Sequence, residues 1–108
     1  MNDTIAQLYE VIMSRKTQPI EDSYTCYLFD KGIDKILKKV GEECSEVIIA
    51  AKNENNSDTV GEIGDLIYHL LVLMAQQGIK PDELLAILNE RAKKVGNLKT
   101  FHKIEKNS

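Results

Sequence analysis

Two pairs of acidic residues, Glu43 with Glu46 and Glu62 with Asp65, share the i, i+3 spacing that sets both members of a pair on one face of a helix. Gathered together, four carboxylates repel: two unit charges ~4 Å apart cost ~4 kcal/mol at an effective dielectric of 20. A hard cation offsets that cost. Oxygen-only ligation, with no cysteine and at most one nearby histidine, His69, favours Mg²⁺ or Mn²⁺ over Zn²⁺, with water and substrate oxygens completing the octahedron. Lys35, Lys38, Lys39, Lys52 and Arg91 supply positive charge suited to phosphate oxygens. A divalent ion with open positions beside such cations suits phosphoryl chemistry, because the ion lowers the pKa of bound water and both neutralise charge developing on the leaving group. The bland alternative is a set of surface acids paired with Lys38, Lys39 or Lys52. Spacing alone does not separate a catalytic ion from a structural one.

Those carboxylates must be carried by long helices. Ile33, Ile36, Leu37, Val40, Cys44, Val47, Ile48 and Ala51 follow i, i+3, i+4, i+7 spacing and predict a helix over 33–52 with one apolar stripe. On a wheel with Val40 at zero, Glu43 falls at about −60° and Glu46 at about −120°, both edging that stripe, whereas Glu42 at about −160° lies on the far side. Polar turn formers, Lys52 to Ser57, break the helix. Ser57 or Asp58 then caps another that runs to Gln77 and stops at Gly78. Its apolar set, from Val60 through Met74, covers more than one stripe, while Glu62, Asp65 and His69 form a polar line. Upstream, helices are predicted over 4–15 and, capped by Ser23 and stopped by Gly32, through Phe29. Between them 16–22 reads as a loop. Pro81 suits the first turn of a last helix, 82–94, with Leu84, Leu85, Leu88 and Ala92 inward. No convincing strand is found. A helix apolar on most sides needs cover on most sides, so the chain reads as all-α, four to five helices completed by homodimerisation, with higher oligomers left open.

With 108 residues, the chain has room for one domain, predicted over 1–96 with a weakly patterned tail at 97–108. The net charge of −3 argues against general nucleic-acid binding. No segment has the length of an apolar membrane span, and the N-terminus lacks the basic-then-apolar order of a signal peptide, so the expected address is cytoplasmic. Cys26 and Cys44 read as reduced, Cys44 as a small core residue. There is no GxxxxGK[ST] phosphate loop and no Ser, His, Asp arrangement for a covalent nucleophile. Direct attack by a metal-activated water, with one site carboxylate accepting the proton, is the simplest mechanism. His69 and Tyr68 read as packing residues, and His102 has no assigned role.

Gly41-Glu42-Glu43-Cys44-Ser45-Glu46 followed by Glu62-Ile63-Gly64-Asp65 resembles the EExxE, then ExxD, signature of the all-α nucleoside-triphosphate pyrophosphatases, the superfamily of MazG-type enzymes and dimeric dUTPases. Ser23-Tyr24-Thr25, Lys31-Gly32, Lys35-Ile36, Lys39 to Glu43 and Asp65 to Leu73 narrow the resemblance to the phosphoribosyl-ATP pyrophosphohydrolase family, over about residues 5–91. The resemblance implies a MazG-like helical homodimer. It also implies Mg²⁺-dependent cleavage of the α–β phosphoanhydride of N1-(5-phosphoribosyl)-ATP, giving phosphoribosyl-AMP and pyrophosphate in the second step of histidine biosynthesis. By matching positions, Glu43, Glu46, Glu62 and Asp65 would be metal ligands and Glu42 an auxiliary acid. Lys39 and Lys52 would touch phosphate, and Ser23, Tyr24 and Thr25 would lie near the nucleotide. Cys44, Ser45 and Gly64 depart mildly from the alanine or other small residue expected there. Without room for the cyclohydrolase domain fused to this activity in some organisms, a monofunctional form is expected. Two other readings stay open: a house-cleaning pyrophosphatase for ordinary or damaged nucleoside triphosphates, and a non-enzymatic helical dimer whose metal serves stability alone.

Overall fold

The computed structural model describes residues 3–94, which form five helices: α1 (Thr4–Thr17), α2 (Tyr24–Lys31), α3 (Ile33–Lys52), α4 (Asn56–Gln77) and α5 (Pro81–Lys93). No strand occurs among the described residues, so the all-α expectation holds. The predicted 97–108 tail, its boundary at residue 96 and His102 lie outside the described residues.

Helix ends follow local chemistry. Ser23 caps α2 by accepting a hydrogen bond from the Cys26 backbone N–H at 3.1 Å. Gly32 has φ +90° and ψ −171°, a conformation open almost only to glycine, which lets α2 end and α3 begin across a single residue. Gly78 adopts the left-handed conformation at the end of α4, and the Ile79 N–H donates back to the Met74 carbonyl at 2.9 Å. The Lys80 N–H donates to Glu83 Oε2 at 2.9 Å and fixes the start of α5 at Pro81.

Several boundaries differ from the sequence reading. α1 continues two residues beyond Arg15, and α2 continues to Lys31. Neither Ser57 nor Asp58 caps α4; Asn55 does, accepting from the Asp58 N–H at 2.9 Å, because a cap must precede the first turn whose donors it satisfies.

The core lies toward one end of the molecule. Tyr9 and Ile12 from α1, Leu28 from α2, Ile36 from α3 and Leu71, Val72, Met74 and Ala75 from α4 form one buried cluster. Two long-range hydrogen bonds tie it together: the Tyr9 hydroxyl donates to the Ile79 carbonyl at 2.7 Å, and Lys16 Nζ to the Ala75 carbonyl at 3.0 Å. Of the apolar stripe expected on α3, only Ile36 is buried; Ile48 remains 68% exposed. Cys44 is exposed rather than a core residue, since none of the described residues covers that part of α3. The inward assignment of Leu84, Leu85, Leu88 and Ala92 also fails for the single chain. α5 packs on α1 alone and buries none of its residues.

This packing separates two kinds of loss. Leu28→Ala removes a fully buried side chain and should destabilise by roughly 2–5 kcal/mol. Gly32→Ala meets open space for its Cβ, so backbone strain alone should cost about 1–3 kcal/mol. Denaturant unfolding of both variants checks the two values.

Candidate metal and phosphate site

α3 and α4 form the most extensive helix pair, joined by the short connection 53–55, which makes them antiparallel neighbours. Glu46 and Glu62 stand eight residues either side of Glu54, and Glu43 and Asp65 stand eleven either side. In an antiparallel hairpin this symmetry sets the acids at matching heights on the two helices. Glu43, Glu62 and Asp65 each offer an oxygen, and the three oxygens lie within 4.8 Å of one another. Glu46 is not in that trio. Its charge nevertheless leads those acting on Glu62, ahead of Asp65, Glu43 and Asp58.

Partial burial, then this ring of neighbouring carboxylates, raises the Glu62 carboxyl above the usual range. The donor set is all oxygen, half-buried at Glu43 and Glu62 and open at Asp65, which fits a hard divalent cation that keeps solvent or substrate oxygens in its shell.

Among the described residues, one cation, Lys39, forms an ion pair at the site. Lys39 Nζ lies 3.2 Å from Glu42 Oε1 and 4.0 Å from Glu43 Oε1, which places Glu42 beside the trio rather than in it. The hydrogen bond to Glu42, then the nearby negative groups, raises the Lys39 ammonium above its ordinary range despite partial burial. The other expected phosphate contacts are placed differently. Lys35 Nζ lies 5.8 Å from the Tyr27 ring centroid, over its face. Lys52 sits in the last turn of α3, and Arg91 is on α5, which makes no packing contact with α3 or α4 in the single chain.

The Ser23-Tyr24-Thr25 run occupies the start of α2. The Ser23 hydroxyl caps the helix and Thr25 shares a hydrogen bond with the Tyr68 hydroxyl. Tyr24 is the member whose phenol feels Lys39 and Glu43; burial raises it first, with Lys39 opposing and Tyr68 and Glu43 adding. Its hydroxyl lies 2.9 Å from His69 Nε2. Sequence reading set His69 aside as packing; the signal available was its i+4 spacing from Asp65, which brings Nδ1 to 2.7 Å from the Asp65 carbonyl.

A helical hairpin carrying converging carboxylates with a lysine beside them fits an all-α, metal-dependent pyrophosphatase. The chain belongs to the phosphoribosyl-ATP pyrophosphohydrolase family, whose sequence model matches residues 5–92. It is 57% identical over 97 residues to the phosphoribosyl-ATP pyrophosphatase of Clostridium novyi, covering 90% of this chain and 88% of that one. Identity to the enzyme of the same name from Listeria monocytogenes is 60% over 93 residues, 86% of each chain. A histidine biosynthesis bifunctional protein, HisIE of Lactococcus lactis, is 54% identical over 101 residues, which span 48% of its length.

The raised Glu62 carboxyl gives a signed expectation. A group raised on folding favours the folded state at low pH and loses that contribution as pH rises through its raised value. In EDTA, Glu62→Gln should therefore melt a few degrees above the parent at neutral pH, and the difference should shrink as pH falls through the carboxylate range. A divalent cation taken up by these carboxylates should, at ~100 times its dissociation constant, stabilise the parent by ~2.7 kcal/mol and the variant by less. Thermal melts across pH, with and without Mg²⁺, check both.

Proposed function

We propose that the chain hydrolyses the α–β phosphoanhydride of N1-(5-phosphoribosyl)-ATP, giving phosphoribosyl-AMP and pyrophosphate in the second step of histidine biosynthesis. The observation that carries this reading is the convergence of Glu43, Glu62 and Asp65 on a chain of this family. Glu46, whose charge acts on Glu62, completes the proposed ligand set for Mg²⁺. When bound, the ion neutralises phosphate charge and lowers the pKa of coordinated water.

The chain's own residues do the rest. A site carboxylate accepts the proton of the attacking water as its oxygen bonds to phosphorus and the bridging P–O bond breaks. Glu42 holds the Lys39 ammonium next to the trio, where its charge meets phosphate oxygens. Lys35, Lys52 and Arg91 extend the same attraction along the triphosphate. Tyr24 carries the nucleotide contact of its triplet, because it is the member on which the site's Lys39 and Glu43 act.

A homodimer belongs to this reading. Ile48, Ile49, Val60 and Ile63 are 41–70% exposed on α3 and α4, and Leu84, Leu85, Ile87 and Leu88 are 38–55% exposed on α5. Large apolar side chains left exposed in this number on three helices are the surface that a second copy would cover. Docking against a second copy also offers Arg91 a route to a site that it does not reach within one chain. The enzyme works on a small nucleotide in the cytoplasm, as the absence of a membrane-spanning helix among the described residues allows.

Purified protein with Mg²⁺ should release pyrophosphate from phosphoribosyl-ATP and not from dNTPs. Release from dNTPs alone would point to a house-cleaning pyrophosphatase, and release from neither to a structural metal site. Glu43→Gln and Glu46→Gln should each lower kcat by roughly 10²-fold or more, the scale of one lost electrostatic partner of the transition state, while circular dichroism stays helical. Sedimentation should give twice the chain mass, and Val60→Asp should shift it toward the monomer, because a charge buried at an interface is strongly unfavourable.

A further inference from the structure

His69 is the one buried polar or charged residue among those described, at 5% exposure, and both of its ring nitrogens are engaged. Nδ1 lies 2.7 Å from the Asp65 carbonyl oxygen one turn back on α4. A carbonyl oxygen only accepts, so Nδ1 carries a hydrogen. The neutral ring then has its lone pair at Nε2, and the Tyr24 hydroxyl, 2.9 Å away, donates to it. The ring is held edge-on between two aromatics: its centroid is 5.7 Å from that of Tyr24 at 76° and 5.0 Å from that of Tyr68 at 86°. Tyr68 is fixed in turn by its hydrogen bond with Thr25. Two consecutive residues of α2 are thus locked to two consecutive residues of α4, one turn beyond Asp65.

This arrangement commits the single hydrogen of Tyr24. What its oxygen still offers is lone pairs, next to a site where Lys39 and Glu43 are the charged groups that act on it. A phosphate oxygen, itself an acceptor, gains nothing from such a partner. A hydroxyl or N–H of the nucleoside does.

We propose that His69 is a positioning residue: by keeping its hydrogen on Nδ1 it makes Tyr24 an acceptor for a hydrogen-bond donor of the nucleoside, a sugar hydroxyl or base N–H, and so governs substrate discrimination without touching substrate. The substrate side of this inference rests on the pyrophosphohydrolase reading. The tautomer does not, and it is measured without turnover.

Nitrogen-15 NMR of the unmodified protein should show a pyrrole-type Nδ1 and a pyridine-type Nε2 for His69, and Tyr24→Phe should move the Nε2 resonance. The opposite tautomer, or a doubly protonated ring at neutral pH, overturns the proposal whether or not the protein hydrolyses phosphoribosyl-ATP. In steady-state kinetics, loss of one such bond in Tyr24→Phe should raise KM roughly five- to tenfold with little change in kcat. His69→Phe should raise KM by the same factor and add nothing in the Tyr24→Phe background, while His69→Gln, which returns an acceptor oxygen, should restore KM. Full additivity of the two losses, or an unchanged KM in Tyr24→Phe, overturns the proposal. With 2′- and 3′-deoxy analogues of the substrate, a Tyr24→Phe penalty that vanishes for one of them makes that ribose the donor, and a penalty that persists for both places the donor on the base or the N1-linked ribose; either supports the proposal.

Discussion

Repulsion between carboxylates on two antiparallel helices is the constraint on which the remainder of the molecule depends. Glu43, Glu62 and Asp65 sit within 4.8 Å of one another with Glu46 close by, so this stretch of the α3–α4 hairpin works against its own closure in the absence of a cation. The opposing force is supplied elsewhere. Leu71, Val72, Met74 and Ala75 bury the C-terminal half of α4 against α1 and α2, and Ile36 anchors the start of α3 to the same cluster. Apolar burial at one end holds the two helices in register, and the register holds the acids together at mid-length.

The division leaves the rest of the hairpin thinly covered. Its distal apolar residues and nearly all of α5 face outward, because five helices of this length cannot surround a central helix that is apolar on most sides. The excess of apolar surface and the crowding of acids are therefore linked features of one design. A hairpin stiff enough to hold like charges needs more packing than residues 3–94 supply.

Much of this was legible in the sequence, for reasons specific to each element. α3 announced itself through period and α4 through its unbroken apolar content. Gly32 and Gly78 marked helix ends because positive φ is costly for other residues. The α4 cap was misplaced because Asn53, Asn55, Asn56, Ser57 and Asp58 are all cap formers, and composition does not rank them. Cys44 and the leucines of α5 were misjudged for a different reason. Periodicity says which face is apolar, not whether the same chain covers it. The four acids were found from i, i+3 spacing, yet spacing could not show that three of them form the tightest group. The Tyr24–His69 contact spans 45 positions and leaves no local pattern at all.

Lys39 explains why the two sides of the site are unequal. Its ammonium lies against Glu42 and Glu43, both on its own helix at i+3 and i+4, a pairing that costs little to form and persists without any ligand. On α3, then, an internal counter-charge tempers the repulsion. Among the described residues no lysine or arginine makes such a pair with Glu62 or Asp65 on α4, and Glu62 is the member of the trio whose carboxyl is raised. The unmet charge lies on the α4 side, where no described residue brings a cation. A hairpin with a lysine on one wall and bare carboxylates on the other is neutralised halfway, and the missing half has the charge, hardness and oxygen preference of a divalent ion.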